Sequence, residues 1–243
     1  MTLQGLLKNL KADVVVANGE NAADGLGLTP ELAEGLFKSG VDVITSGNHI
    51  WQKREILPLL DADERLLRPE NYPVGVPGHG SCVISRKGVD VAVLSLQGRL
   101  HMYDIRCPFA VGAEAARRLR GRSQVILVDF HAEAPEEKEA LALHLDGTVS
   151  AVVGTHTHVQ TADETILPKG TAFITDAGMT GPKNGVIGMK PDISLNRALT
   201  QIPYKMEVED SETVVAGVLV EVDAESGRSL AIRRVLHDVP ALG

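Results

Sequence analysis

Four short aliphatic runs in this chain each stop at residues able to bind a cation. The run Val14–Ala17 is followed by Asn18-Gly19-Glu20-Asn21, and Val41–Thr45 by Gly47-Asn48-His49. The run that begins at Val125 leads into Asp129-Phe130-His131-Ala132-Glu133, and Val149–Val153 leads into Gly154-Thr155-His156-Thr157-His158. Runs of this length suit buried strands. Amphipathic stretches separate them, and that alternation predicts an α/β sheet protein. In such sheets ligands gather just beyond the carboxyl ends of the strands. Four clusters that are remote in sequence can therefore converge in space.

The remaining pattern fills in the layers. Leu3, Leu6, Leu7 and Leu10 share one helical face. Pro30–Lys38 reads as a helix with Thr29 as N-cap, Pro30 at its first position and Gly40 at its end. Further helices are predicted at 53–60, 113–119, 135–145 and 191–200. Glu136, Glu137 and Glu139 sit near the positive end of the third of these. Strands are predicted at 14–17, 41–45, 89–96, 125–130, 149–153 and 171–175. The Pro- and Gly-rich stretch from Arg68 to Gly80 is a loop. Thr213–Val222 and Leu230–Leu236 flank Glu225-Ser226-Gly227-Arg228 as a terminal hairpin. No repeat or linker interrupts the chain, so one domain over residues 1–243 is expected.

Composition limits the partners. The net charge is −8, which argues against wrapping long nucleic acid through its phosphates. A small phosphorylated ligand remains open, because bound cations can reverse the local field. The two cysteines, Cys82 and Cys107, are too few for a disulfide scaffold and suit a reduced cytoplasmic protein. No apolar run approaches the ~20 residues that span a bilayer, and the opening Met1–Leu7 is too short on apolar residues for a signal sequence. Aromatics are only 3%, so the core must be built from Val, Leu, Ile and Ala.

Each cluster taken singly has a plain explanation. Asn48 could cap a turn, Glu20 could cap the segment after it, and His131 could be a satisfied core histidine. The His156-x-His158 pair is more specific. The recurrence at four equivalent strand ends decides for a metal site. Imidazoles mixed with carboxylate and amide oxygens suit iron, manganese or zinc, with magnesium also open, and the lack of cysteine disfavours a thiolate zinc site. Glu20, Asn48, His131, His156 and His158 are too many for one open catalytic cation. They fit two cations joined by a carboxylate, ~3.5–4 Å apart, the usual device for phosphate-ester displacement.

These motifs resemble the calcineurin-like metallophosphoesterases, and more closely their YmdB-type branch. The matching stretches are Asn18 to Asn21, Gly47-Asn48-His49 with Trp51, the Arg68 to Pro73 loop, Asp129 to Glu133, Gly154 to Val159, and Thr175 to Gly181. They occur in order from about residue 3 to the terminal hairpin. The resemblance implies a two-sheet β-sandwich flanked by helices, in α/β/β/α order, with two divalent or mixed-valence metal ions at one rim. It implies that Glu20 bridges the cations, that Asn48, His131 and His156 hold one, and that His158 with Asn21 holds the other. It also implies hydroxide attack on a cyclic-nucleotide phosphodiester, with the 2′,3′-cyclic type favoured and His49 as general acid. Homo-oligomerisation is left open.

One departure stands out. The family opens with a strand and a Gly-Asp-Val-x-Gly motif whose Asp is a ligand, and no residue before Asn18 supplies it here, since Asp13 precedes its strand. The expectation is a sequence truncated at its N-terminus relative to the family. The alternative is a metal-poor regulatory or binding protein. A phosphomonoesterase or nuclease using the same residues is a further rival.

Overall fold

The computed structural model of the chain describes residues 3–239. Met1 and Thr2 of the opening segment lie outside them, as do residues 240–243. In chain order the elements are α1 (Leu3–Leu10), β1 (Val16–Asn18), α2 (Pro30–Lys38) and β2 (Val43–Thr45). A single 3₁₀ turn at Arg54–Ile56 runs into α3 (Leu57–Ala62), followed by β3 (Ser81–Arg86), β4 (Val89–Gln97), α4 (Pro108–Arg120) and β5 (Val125–His131). The second half holds α5 (Pro135–Leu145), β6 (Ala151–Thr155), β7 (Thr165–Ile166), β8 (Ala172–Ile174), β9 (Gly181–Pro182), α6 (Pro191–Thr200), β10 (Thr213–Val222) and β11 (Ser229–Val239).

The main sheet has the order β3-β4-β5-β6-β8-β7. Its four inner strands run parallel, and β3 and β7 close its edges antiparallel. Strand alternation gives this sheet two distinct faces. Leu94 and Leu96 of β4, Val128 and Phe130 of β5 and Val152 of β6 point to one side, where they pack on Val111, Ala115 and Leu119 of α4 and on Leu141, Ala142 and Leu145 of α5. Val93 of β4 and Cys82 of β3 point to the other side and meet Val43 of β2 and Leu67. There the parallel pair β1–β2 forms a second layer. Ile44, Leu28, Ala33, Ile56 and Leu60 cover the outside of that pair, under α2 and α3. The order of layers is thus helix, sheet, sheet, helix, as expected. Hydrogen bonding divides the strands among three ladders, the third being β9, β10 and β11.

Three helices keep their predicted bounds: α2, α5 and α6. Thr29 caps α2 by accepting from Leu32 N at 3.3 Å. Other elements differ for visible reasons. β1 starts at Val16 rather than Val14, because Val15 N donates to the Asp42 carboxylate at 2.9 Å. Helix α4 begins at Pro108, five residues before the expected start; Gly112, which masks the apolar period, packs against Leu96. The edge strand β3 alternates Ser, Cys, Val, Ile, Ser and Arg too weakly to read as a strand. Glu137 does more than sit at a helix terminus. It is buried and accepts from the backbone N–H of Arg99 at 3.0 Å and of Leu100 at 3.1 Å, which ties the loop after β4 to α5. No helix among the described residues is long and apolar enough to cross a membrane.

The parallel arrangement decides where the site lies. Strands β1 and β2 run side by side, and so do β5 and β6, with His131 level with Thr155. Residues two apart share a face, so Asp129 and His131 both look toward the β1–β2 layer, away from α4 and α5.

Candidate metal centre

Each of the four strands delivers its following loop to one rim. After β1, Asn18 accepts from Glu20 N at 3.1 Å, and Gly19 N donates to Thr45 O at 2.9 Å. This short turn, pinned to β2, drives the Glu20 side chain inward to 1% exposure. His131, the last residue of β5, is 2% exposed. Asn48 follows β2 and His156 follows β6.

Their polar atoms meet at His131 Nε2. It lies 2.5 Å from Glu20 Oε2, 3.0 Å from Asn48 Oδ1 and 2.9 Å from His156 Nδ1. One ligand atom from each of Glu20, His131 and His156 falls within 4.8 Å of the others. The outer hydrogen bonds assign the tautomers. Thr155 Oγ1 donates to Asp129 Oδ1 at 2.7 Å and so accepts from His131 Nδ1 at 3.0 Å. His156 Nε2 faces the Glu133 carboxylate at 3.0 Å and donates to it. Both inner nitrogens therefore present lone pairs to one another and to two oxygens. In that tautomer four acceptors face one point and repel one another; either a proton on His131 Nε2, shared with Glu20, or a bound cation removes the repulsion. Ligating imidazoles are commonly held through their other nitrogen in this way. The donor set fits a metal ion.

A second group lies beside the first. Asn21 Nδ2 is 2.9 Å from His158 Nε2, and His158 Nδ1 faces Ile187 O at 3.3 Å. Asn21 Oδ1 is buried with no hydrogen-bond partner. The expected ligands thus fall into two sets, with Glu20, Asn48, His131 and His156 in one and Asn21 and His158 in the other. His49 adjoins the first set. Its backbone N donates to Glu20 Oε1 at 2.5 Å, its Nε2 is 3.4 Å from Asn48 Nδ2, and its Nδ1 is buried and unpaired.

The electrostatics match a cation site. Burial pushes the Glu20 carboxyl up, but the neighbouring His131 charge and hydrogen bond, with the His49 amide, outweigh it and hold Glu20 below the usual carboxylate range. Burial and the adjacent His131 push His156 down to about 4. Its imidazole is then neutral at physiological pH, the form that binds metals. Burial pushes Asp129 up, against the His131 charge and donors from Thr45, Thr155 and Asn18.

Several supporting residues lie outside the ligand set expected from the sequence. Asp129 gathers Thr45 Oγ1 at 2.5 Å and Asn18 Nδ2 at 2.9 Å besides Thr155. Lys138, fully buried on α5, pairs with Asp176 at 2.9 Å. A signal for Lys138 exists: it shares a helical face with Leu141, Ala142 and Leu145, where an apolar residue is expected. His156 and His158 both adopt positive φ, 106° and 68°, a conformation that costs side-chain-bearing residues energy and clusters at functional sites. Arg68 donates to the carbonyls of Pro69, Pro77 and Gly78, which stiffens its loop.

Comparison with known proteins places the chain in a family. The chain is 45% identical over 226 residues to the 2′,3′-cyclic-nucleotide 2′-phosphodiesterase of Bacillus subtilis (strain 168), covering 93% of this chain and 86% of that protein. A crystal structure of a hypothetical protein from Thermus thermophilus superposes with a TM-score of 0.91 at 38% identity, over 98% of this chain and 92% of the other. A structure named as a novel phosphatase from Mycoplasma pneumoniae gives 0.90 at 32% identity, over 97% and 87%. The family model described as YmdB-like protein matches residues 1–235. The chain belongs to the YmdB-like family.

Proposed function

We propose that this chain hydrolyses cyclic-nucleotide phosphodiesters, those of the 2′,3′ type foremost, at a two-cation centre, with His49 as the general acid. It is a phosphoric ester hydrolase, the class to which its named relatives belong. The observation that carries the reading is the convergence of Glu20, Asn48 and His156 on His131 Nε2. Glu20 would bridge the cations, Asn48, His131 and His156 would hold one, and Asn21 and His158 would hold the other. Iron or manganese fits these donors, and zinc or magnesium also takes such oxygens and imidazoles. Cations bound there would polarise the phosphoryl group and acidify the attacking water.

The chain's own residues handle the protons and the geometry. His49 is tied to the ligand shell through its backbone N–H to Glu20 Oε1, and its ring Nδ1 is buried without a hydrogen-bond partner among the described residues. It is therefore placed to give a proton to the departing ribose oxygen, a step that typically contributes 10²–10⁴-fold. Thr155 and Asp129 orient the His131 ring so that Nε2 faces Glu20, Asn48 and His156.

The test has two parts. Metal content near two per chain, with turnover of a 2′,3′-cyclic nucleotide well above that of a phosphomonoester or a linear diester, supports the reading. One metal or less, without turnover, supports a regulatory protein instead. The His49→Ala protein should keep its metal and lose turnover; parent-rate hydrolysis would remove the acid assignment.

A further inference from the structure

A cleft of about 500 Å³ opens beside Asn48, lined by Trp51, Gln52, Tyr72, Val76 and Tyr103 among others. We infer that this cleft binds the nucleobase of the substrate, stacked against Trp51 and Tyr103. The inference rests on the cyclic-nucleotide reading of the adjoining centre and adds to it the part of the ligand that the cations do not touch.

The first argument is where the aromatics lie. The chain contains one Trp and three Tyr, and all aromatics together are 3% of its residues. Trp51, Tyr72 and Tyr103 all line this one cleft. An aliphatic core has no need of them there. Tyr103 is 60% exposed, a largely bare ring lining an apolar hollow. Rings of this kind offer flat faces to any base.

The second argument is that the cleft is built rather than incidental. Asn71, fully buried, donates to Gln97 O at 2.7 Å and to Arg106 O at 2.9 Å, and accepts from Gln97 N at 2.9 Å. It thereby clamps the loop that carries Tyr72 to the loop that carries Tyr103. Tyr72 OH donates to Gln97 Oε1 at 3.1 Å, and its ring stands edge-on to Trp51 at 5.4 Å and 82°. These contacts fix two aromatic walls before any ligand arrives. The exposed Gln52 amide supplies a donor and an acceptor of the kind that reads base edges.

The third argument is adjacency. Asn48 belongs both to the cleft wall and to the ligand cluster, where its Oδ1 is 3.0 Å from His131 Nε2. A phosphoryl group at the cations would leave its base within reach of this hollow. An apolar hollow with few polar groups is also what a flat heterocycle requires.

Because Trp51 is the sole tryptophan, its fluorescence reports on the cleft directly and without turnover. Adenosine, guanosine, cytidine and uridine should each be titrated, with ribose 5-phosphate as the base-free probe. Saturable quenching by a nucleoside, absent with ribose 5-phosphate and weakened about tenfold in Tyr103→Ala, is the expected result. Val74→Ala, in the same loop but outside the cleft, should bind as the parent does. The inference is overturned if no nucleoside quenches, if ribose 5-phosphate quenches equally, or if Tyr103→Ala binds like the parent. Parallel hydrolysis assays separate the two claims: quenching without turnover of any cyclic nucleotide leaves the base site standing and removes the proposed activity, and turnover without quenching does the reverse.

Discussion

Lys138 Nζ lies 2.9 Å from Asp176 Oδ2, and both side chains are out of reach of water. The same oxygen accepts from Thr157 N at 3.0 Å and Thr157 Oγ1 at 2.8 Å. A buried ion pair therefore grips the residue between His156 and His158, both of which hold positive φ. Each such backbone state costs about 1–3 kcal/mol and persists only where its surroundings enforce it. Replacing Lys138 with Met would strand the Asp176 charge. Removing one partner of a buried pair costs about 3–5 kcal/mol, which lowers Tm by about 10 °C in a chain of this size. Thermal unfolding of Lys138→Met should show that drop, and metal content should fall with it as the His156 loop relaxes. A parent-like Tm would mean that the pair contributes nothing net.

Gly47 admits the His131 ring. A Cβ built at Gly47 would overlap His131 Cδ2, Cγ and Nε2. His131 is fixed at the end of β5 and cannot retreat without leaving Glu20. Gly47→Ala should therefore displace the ring that the other ligands surround. The expected outcome is a folded protein, by circular dichroism, with little bound metal and turnover reduced at least a hundredfold. Overpacking should take about 1–3 kcal/mol from stability. Full metal occupancy in this variant would show that the ring has room to move.

Thr155 relays Asp129 to His131. Its hydroxyl donates to Asp129 Oδ1 and accepts from His131 Nδ1. Thr155→Val keeps the shape and deletes the relay, so His131 is free to move its proton to Nε2, where it blocks a ligand. Loss of such an outer partner typically costs 10–100-fold in metal affinity. Competition with a chelator of known affinity measures it. Unchanged affinity would leave the Asp129 network a purely structural role.

Much of this was legible in the sequence, and the limits are physical. The four strand ends declared themselves by recurrence: each cluster alone has a plain structural explanation, but the same ending at four strands does not. The helices starting at Pro30, Pro135 and Pro191 were clear because proline marks a first turn. β3 was not, because its short apolar run Cys82-Val83-Ile84 does not alternate with polar residues. The supporting residues were harder still. Asp129 and Thr155 act through partners more than a hundred and about twenty-five residues away, and only the pairing of β5 with β6 and their facing of β1–β2 brings Asn18, Thr45, Asp129 and Thr155 together. Asp176 lies in a motif that could be quoted from the sequence, and Lys138 stands on the apolar face of α5, but nothing in the sequence pairs the two.

The depressed His156 predicts how the metal-free protein responds to acid. Its folded-state value is about 4, against 6.5 for a free imidazole. Between those values the unfolded chain takes up a proton that the folded chain refuses. Stability then falls as pH falls, because the unfolded state binds more protons. The loss begins near pH 6.5 and should reach about 2 kcal/mol by pH 4.5, after allowing for the partly exposed ring. Glu20, held below its usual range, adds its own loss only below about 4.5, so the two windows separate. Urea unfolding of chelator-treated protein at steps from pH 7 to 4.5 measures the slope. His156→Gln cannot take up that proton and should show a flatter profile over the same range. Equal slopes in the two proteins would place the acid sensitivity elsewhere and remove the argument that His156 stands neutral and ready for a cation.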